Sequence, residues 1–288
     1  MTDWPTARIP DDISTGYGIP ELYSARAIDA VTANLVCVGA VNTTWKAELK
    51  LGSKVWIPVL DSATTHTVDP SGEWGGSRAH VNTDFFATAA SITADQWKEC
   101  PFQLSDGDNL QTQVKDLLER MAKRAGYEIA EDIDTEVNTQ FQSLTDTWAG
   151  SDGQTFSDDI LLDLMEGLDE ADVPRENRSL VGDPSLRADC FKIDKFVHRD
   201  YNMTLTGELG KTPYGDKILI TNNLSQASTG AYGAYLHEDA IGCVIQMPIQ
   251  VKHYRDEPHA SDMVVARAIF GADVIRATFG AEFYTRKM

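Results

Sequence analysis

The strongest periodic pattern of the sequence lies in residues 107–145, GDNLQTQVKDLLERMAKRAGYEIAEDIDTEVNTQFQSLT. Apolar residues recur there at steps of three and four, which puts them on one face of an α-helix. Ser105 followed by Asp108 is typical of a capped start, and Gly126 predicts a bend or break. Such a helix would be about 55 Å long, longer than a typical globular helix. Its predicted apolar stripe consists of Leu110, Val114, Leu117, Leu118, Met121, Ala125, Ile129, Ile133, Val137, Phe141 and Leu144.

The segment before this helix predicts a long β-hairpin. Strand-like residues 44–49 and 54–59 precede a turn-forming tip at 69–76, and the chain returns as a strand between Val81 and Ile92. An isolated two-stranded ribbon cannot bury large aromatic rings by itself. We therefore expect the hairpin to contact another surface, in the same subunit or in a neighbour. The tryptophans in or beside it are Trp45, Trp56, Trp74 and Trp97.

Helices and strands alternate after the long helix. Ser157 is a typical N-cap for a helix that ends before Pro174. Residues 1–20 are rich in Pro and Gly and predict an extended arm, with a short helix over 21–30. The pattern indicates an α+β fold whose sheets pair strands that are distant in sequence. The further predicted elements are strands over 178–182, 217–221, 263–270 and 274–279 and helices over 184–196 and 237–245.

The charge balance excludes several classes of function. The chain has 288 residues, with 25 Lys+Arg against 44 Asp+Glu and a net charge of −19, which repels phosphate backbones and anionic lipids. Residues 99–155 hold 4 basic and 12 acidic residues, whereas 43–98 hold 5 and 6. No uncharged apolar run approaches the ~18 residues of a membrane span, and the first residues lack a signal-peptide pattern. We expect neither a membrane protein nor a conventionally secreted one.

No motif in the sequence predicts catalysis. Residues 207–212, GELGKT, have two residues between the glycines where a phosphate-binding loop needs four. The six histidines form no ligand-like pair, and the four cysteines are widely spaced, which is typical of buried, reduced thiols. We expect no catalytic residue, no cofactor and no metal. The acidic residues of the long helix predict a solvated face rather than a metal site; they are Glu128, Glu131, Asp132, Asp134 and Glu136.

The order of motifs along the chain carries a family resemblance. Before the long helix come 19–24 (IPELYS), 34–36 (NLV), 52–58 (GSKVWIP) and 92–98 (ITADQWK), and after it come 168–174 (LDEADVP), 178–181 (RSLV) and 218–224 (ILITNNL). This layout resembles the major capsid proteins of tailed double-stranded DNA bacteriophages, which have the Hong Kong 97 fold. The chain departs from the family's usual Ser-Pro at residues 182–184, Gly-Asp-Pro.

The resemblance implies a fold with a long spine helix, an extended β-hairpin loop, an N-terminal arm and a mixed α/β axial domain. It assigns 1–42 to the arm, 43–98 to the extended loop, 99–155 to the peripheral domain with the spine helix, 156–249 to the axial domain and 250–288 to C-terminal strands of the peripheral domain. Because the loop would reach over a neighbouring subunit, we name candidate intersubunit contacts. They are Trp45, Trp56, Trp74, Phe85 and Phe86.

The implied function is structural and not enzymatic: copies of the chain form hexamers and pentamers of an icosahedral head shell. The shell encloses packaged DNA without sequence-specific contact, and the acidic spine would repel that DNA from the inner lining. Implied partners are a portal protein and a separate scaffolding protein, with a decoration protein as a further candidate. The location would be the virion, after assembly in the host cytoplasm.

Three other functions compete with this one. A cellular nanocompartment shell shares the fold, and would assemble without a portal and recruit an enzyme cargo. An α/β hydrolase or metal-dependent enzyme would gather Asp and His side chains in space. A tail-tube or receptor-binding β protein is a further alternative, and the long helix over 107–145 argues against it.

Overall fold

The computed structural model describes residues 36–47, 52–59, 88–111, 117–197 and 211–286. The predicted arm over 1–20, the helix over 21–30 and the hairpin tip at 69–76 lie outside these ranges. The described helices are α1 (Asp106–Gln111), α2 (Leu117–Thr139), α3 (Asp158–Glu170), α4 (Pro184–Cys190) and α5 (Asp194–Val197). The described strands are β1 (Lys54–Val59), β2 (Thr88–Thr93), β3 (Gln96–Ser105), β4 (Thr145–Ala149), β5 (Arg178–Gly182), β6 (Lys217–Ile220), β7 (Gly230–His237), β8 (Ile241–Asp256), β9 (Ser261–Val274) and β10 (Gly280–Arg286).

The predicted long helix is present as α1 and α2, with residues 112–116 between them outside the described ranges. The Ser105 hydroxyl accepts a hydrogen bond from the Asp108 amide at 3.1 Å, as its capping pattern predicts. Helix α2 continues through Gly126 and is about 35 Å long. A 3-10 turn (Gln140–Ser143) ends it earlier than residue 145. The buried residues of the predicted stripe include Ala125, Ile129, Ile133, Val137 and Phe141.

Two small β-units accompany this helix. Strands β3, β9 and β8 form an antiparallel sheet in that order, and one of its faces, with Ala266, Ala268 and Phe270, shares a hydrophobic core with α2. Strands β1 and β2 pair antiparallel from Lys54–Thr93 to Val59–Thr88. The predicted hairpin is therefore present at its base.

A five-stranded mixed sheet forms the second half of the fold, in the order β4-β10-β7-β5-β6. Helix α3 begins at the predicted cap, where the Ser157 hydroxyl accepts from the Ile160 amide at 3.4 Å. Its apolar residues Leu161, Leu164 and Leu168 are buried with Tyr235 and other residues of the sheet. The burial of these side chains fixes α3 on one face of the sheet.

Several predicted elements are wrong. Residues Thr44–Ala47 form a 3-10 turn rather than a strand, and the helix predicted over 184–196 is two short helices, α4 and α5. The helix predicted over 237–245 is the end of β7, a 3-10 turn (Glu238–Ala240) and the start of β8. Residues Ile241–Val244 are all buried, so their continuous apolar run belongs to a strand covered on both faces, which periodicity alone does not separate from a helix.

The strands also cross the predicted segment boundaries. Strand β3 continues across residues 98 and 99, and β8 continues across 249 and 250. The strand predicted over 274–279 is a turn, and the following strand β10 pairs with β7 and β4. Residues 250–288 therefore contribute to both sheets, rather than only to the sheet that packs on the long helix.

Candidate assembly surface

The hairpin base has an outward face that its own subunit leaves open. Trp56 is 64% exposed, and Lys54 and Pro58 beside it are exposed, whereas Val55 and Ile57 point toward the core. This alternation is the period-two pattern of a strand. The Lys54 ammonium lies 4.6 Å from the centroid of the Trp56 ring, a cation–π contact that covers part of the ring. A tryptophan this exposed is typical of a surface that binds another protein.

The opposite face of the hairpin holds it to the three-stranded sheet. Ile92 is fully buried there, in a cluster with Ala94 and Val244 that also contacts Val55, Ile57, Ile269 and Trp45. The Thr93 amide donates to the Asp273 carboxylate at 2.7 Å. The hairpin is thus attached at its base by apolar packing and by a hydrogen bond to β9. Trp45, one of the candidate contacts, lies half-buried in this cluster within its own subunit.

A second open surface lies on the three-stranded sheet, on the face opposite α2. Trp97 of β3 is 76% exposed and borders a groove of about 670 Å³. In the groove the Arg267 guanidinium pairs with Glu99 at 3.1 Å, and Lys98 and Lys252 are also among the lining residues. Its other lining residues are Met247, Gln250, Ala268 and Ile269.

The structure describes only some of the residues that the sequence predicts as intersubunit contacts. Trp56 is exposed as the hairpin pattern predicts, whereas Trp74, Phe85 and Phe86 lie outside the described residues. Trp97 was not among the predicted contacts, although it is the more exposed of the two described tryptophans on open faces. The period of the strand was the available signal. Trp97 and Glu99 lie on the same face of β3, and the charged Glu99 indicates that this face is open to solvent.

The acidic face of the long helix is only partly solvated. Glu119 pairs with Lys123 at 2.8 Å, and Glu128 pairs with Arg124, both across one helical turn. Asp134, which the sequence placed on the solvated face, is completely buried. Its burial corrects that prediction, because residues 36–43 cover this edge of the helix.

The tip of the β8–β9 hairpin is held by an ionic cluster. Arg255 donates to Asp106 at 2.5 Å from both terminal nitrogens and lies 3.4 Å from Asp262 and 3.5 Å from Glu257. The hydrogen bonds from Arg255 lower the pKa of Asp106. The cluster fixes the tip against the start of α1, next to Ala260, which has a left-handed backbone.

Within the described ranges, no group of three or more His, Cys, Asp or Glu side chains could hold a metal ion. All four cysteines are free thiols, and burial raises the pKa of Cys190 to about 12. The buried His237 ring accepts from the Asp239 amide at 3.2 Å, a local turn contact. Among the helices of the described residues, none combines the length and apolarity that crossing a bilayer requires.

The fold has close counterparts among solved structures. The chain is similar to a structure of Mycobacterium phage Che8, with a TM-score of 0.77, 23% sequence identity, and coverage of 92% of this chain and 97% of that one. It is also similar to the capsid of Cyanophage P-SCSP1u (TM-score 0.68, 16% identity, 93% of each chain) and to the mature capsid of bacteriophage PhiM1 (0.67, 14%, 99% of each chain). No protein-family model and no curated protein sequence matches the chain. The chain therefore has the mixed helix-and-sheet fold of these phage structures over nearly its whole length.

Proposed function

We propose that this protein is the major capsid protein of a tailed phage, a structural protein that assembles into an icosahedral head shell of the Hong Kong 97 type. The observation that carries the proposal is the similarity to phage capsid structures, which extends over 99% of both chains in one case. The similarity thus extends over whole chains and is not confined to a shared subdomain. Copies of the chain form the hexamers and pentamers of the shell, and the protein has no enzymatic activity of its own.

The proposal includes a domain organisation. The arm is residues 1–42, the extended loop 43–98, the spine-helix region 99–155, the axial domain 156–249 and the returning peripheral strands 250–288. In this arrangement α2 and the three-stranded sheet form the peripheral body, and the five-stranded sheet with α3 forms the axial body. Strands β4 and β10 cross from the flanking segments into the axial body, and β8 begins before residue 250. The excess of acidic residues over 99–155 keeps the lining from gripping the packaged double-stranded DNA.

The two open tryptophan surfaces are the subunit contacts in this proposal. The outward face of the hairpin, with Trp56, lies on one subunit, and the groove at Trp97 receives a neighbouring copy. Trp45 supports the hairpin from its own subunit, and Trp74, Phe85 and Phe86 extend the contact beyond the described residues. A portal protein, a separate scaffolding protein and a decoration protein complete the list of partners. The protein is located in the virion, after assembly in the host cytoplasm.

Electron microscopy of the purified protein, with and without co-expressed scaffolding protein, tests the proposal. Closed shells or rings of five and six subunits support it, whereas a monomer that never associates contradicts it. Trp56→Ala and Trp97→Ala should each reduce assembly and leave the melting temperature unchanged, since both rings are mostly exposed. Trp56→Phe and Trp97→Phe are the matched controls, because they keep an aromatic ring at each surface.

A cellular nanocompartment shell is the second candidate, because it has the same implied fold. The contents of the particles separate the two functions. Shells that form from this chain alone and enclose a protein cargo favour the nanocompartment. Particles that require a scaffold and a portal and contain double-stranded DNA favour the phage head.

A further inference from the structure

A short strap, residues 36–43, packs on the core beside α2. Cys37 and Ala40 of the strap are buried against α2, in the same core as Ile241 and Cys243 of β8. The Asn42 amide donates to the Ile241 carbonyl at 3.1 Å, and the Cys243 amide donates to the Asn42 carbonyl at 3.0 Å. These two hydrogen bonds hold one end of the strap to the start of β8.

The second end of the strap is held by a buried carboxylate. Asp134 of α2 is 0% exposed, and its Oδ1 accepts a hydrogen bond from the Val38 amide at 3.2 Å. The backbone amides of Val36 and Cys37 and the Cys37 thiol lie on the same side and lower the pKa of this carboxyl group. The other oxygen, Asp134 Oδ2, is buried without a hydrogen-bond partner.

A second unpaired atom lies one helical turn further along α2. Asn138 is also 0% exposed, and its Nδ2 donates to the Asn223 carbonyl, while its Oδ1 is buried without a partner. Residues four apart on a helix are neighbours, so Asp134 and Asn138 share one side of α2. Two unpaired oxygens at this site are unfavourable while Asp134 is ionised, since both are acceptors.

The groups around Asp134 offer no positive charge among the described residues. The strap contributes the Cys37 thiol as its titratable group. The side chains of Asn138 and Asn223 do not titrate, and β8 and β9 contribute apolar side chains and the Cys243 thiol to the same core. Burial raises the pKa of Asp134, and the hydrogen bonds from the strap offset this only in part.

We propose that Asp134 is a protonation-dependent lock on the strap, which holds residues 36–43 more tightly when the carboxyl group is protonated than when it is ionised. The protonated group donates from Oδ2 to Asn138 Oδ1, so that one hydrogen bond satisfies both unpaired atoms. Oδ1 meanwhile continues to accept from Val38. The proposal concerns the folded subunit and does not depend on shell formation.

The direction of the pH effect follows from the raised pKa. A carboxyl group whose pKa is higher in the folded state stabilises that state fully below its ordinary pKa, and the contribution is lost as pH rises through the folded value. The strap should therefore open more readily as pH increases from 4.5 to 8. Opening is expected to become about tenfold more frequent for each unit by which the pKa is raised.

Hydrogen exchange on the full chain, corrected for the intrinsic pH dependence of exchange, tests the lock. Peptides that cover 36–43 should lose protection in the wild type between pH 4.5 and 8. Asp134→Asn should keep the low-pH protection throughout, because its Oδ1 accepts from Val38 and its Nδ2 donates to Asn138. Asp132→Asn removes the same charge from a half-buried position on the same helix, and should retain the wild-type pH dependence.

Asn138→Ala provides a second variant. It removes the acceptor for the protonated carboxyl group, and the strap should then exchange rapidly at every pH. The lock is contradicted if the strap peptides of the wild type have the same protection from pH 4.5 to 8. It is also contradicted if Asp134→Asn follows the wild-type pH dependence. The pH dependence of the wild-type strap peptides is measured without any variant, so it tests the lock even if a variant does not fold.

Discussion

Asp189 is a buried carboxylate with several hydrogen-bond donors around it. It is 1% exposed and accepts from the Arg286 guanidinium at 2.9 Å, the Lys192 ammonium at 2.8 Å and the Phe156 amide at 3.3 Å. Burial pushes the pKa of Asp189 upward, but the hydrogen bonds from Arg286 and Lys192 outweigh this effect and lower it. The residue thus connects α4 to β10 and to the loop before α3.

Removal of this carboxylate should weaken the fold strongly. Asp189→Ala leaves the Phe156 amide and Arg286 without their acceptor, and we expect a loss of about 3–5 kcal/mol in the free energy of unfolding. Lys192→Ala removes a partner that is 63% exposed and should cost less than about 1 kcal/mol. Urea denaturation measures both values.

The stabilisation from Asp189 should also depend on pH. In the wild type it is present above the ordinary pKa of Asp and disappears as pH falls through the lower pKa that Asp189 has in the folded state. Asp189→Ala should lack this loss of stability in acid.

Gly271 shows how closely the hairpin base approaches the sheet. A Cβ at this position would lie 1.9 Å from the Thr93 carbonyl oxygen, a backbone atom that cannot move away alone. Gly271→Ala should therefore displace the hairpin base and cost about 1–3 kcal/mol by overpacking. Gly39→Ala, where a Cβ meets no atom within 4 Å, is the control and should have little effect. Equal melting temperatures for the two variants would contradict the described contact.

At the scale of elements, the sequence correctly predicted the helices and strands whose signals are local. Ser157 and the leucines after it defined α3, because a cap and a one-sided apolar stripe depend only on neighbours in the chain. The helix predicted over 237–245 was wrong, since the burial of Ile241–Val244 on both faces comes from distant partners. The exposure of Trp97 and the burial of Asp134 were missed for the same reason. Each depends on which segment covers it, and periodicity does not contain that information.

The buried stripe of α2 can be tested with one charge at two positions. Ile133→Asp places an unpaired carboxylate at a site that is 5% exposed, which should cost several kcal/mol (roughly 3 or more) and yield insoluble or unfolded protein. Thr135→Asp adds the same charge two residues away at an exposed site, and should stay within roughly 0.5 kcal/mol of the wild type. Thermal melts followed by circular dichroism compare them. Similar losses in both variants would show that the helix faces are misassigned.

At the scale of the whole molecule, folding and assembly should be separable. Replacement of residues 63–80 with a short Gly-Ser link keeps every residue of the two large described cores. We expect a folded, soluble subunit that stops at capsomers or monomers. A loss of only about 1–2 kcal/mol per interface is roughly a tenfold weakening, and a closed shell repeats it in every subunit.

Thermal melting and sedimentation velocity on the same sample distinguish the outcomes of this deletion. Normal closed shells from the shortened chain would show that 63–80 is not an intersubunit segment. An unfolded product would instead place the segment in the core. A melting temperature close to that of the wild type, together with small sedimentation coefficients, is the expected result.

The position of β10 constrains when a newly made chain becomes a usable subunit. Residues 280–286 lie between β4 and β7 in the five-stranded sheet, and they supply Phe283 to its core. During synthesis, β4 therefore has no pairing partner among the described strands until residue 286 has left the ribosome. All the other described strands have been synthesised before that point. A polypeptide interrupted before residue 280 cannot complete this sheet and retains an open edge on both β4 and β7. The fold itself thus keeps prematurely terminated translation products from acquiring the shape of a building block.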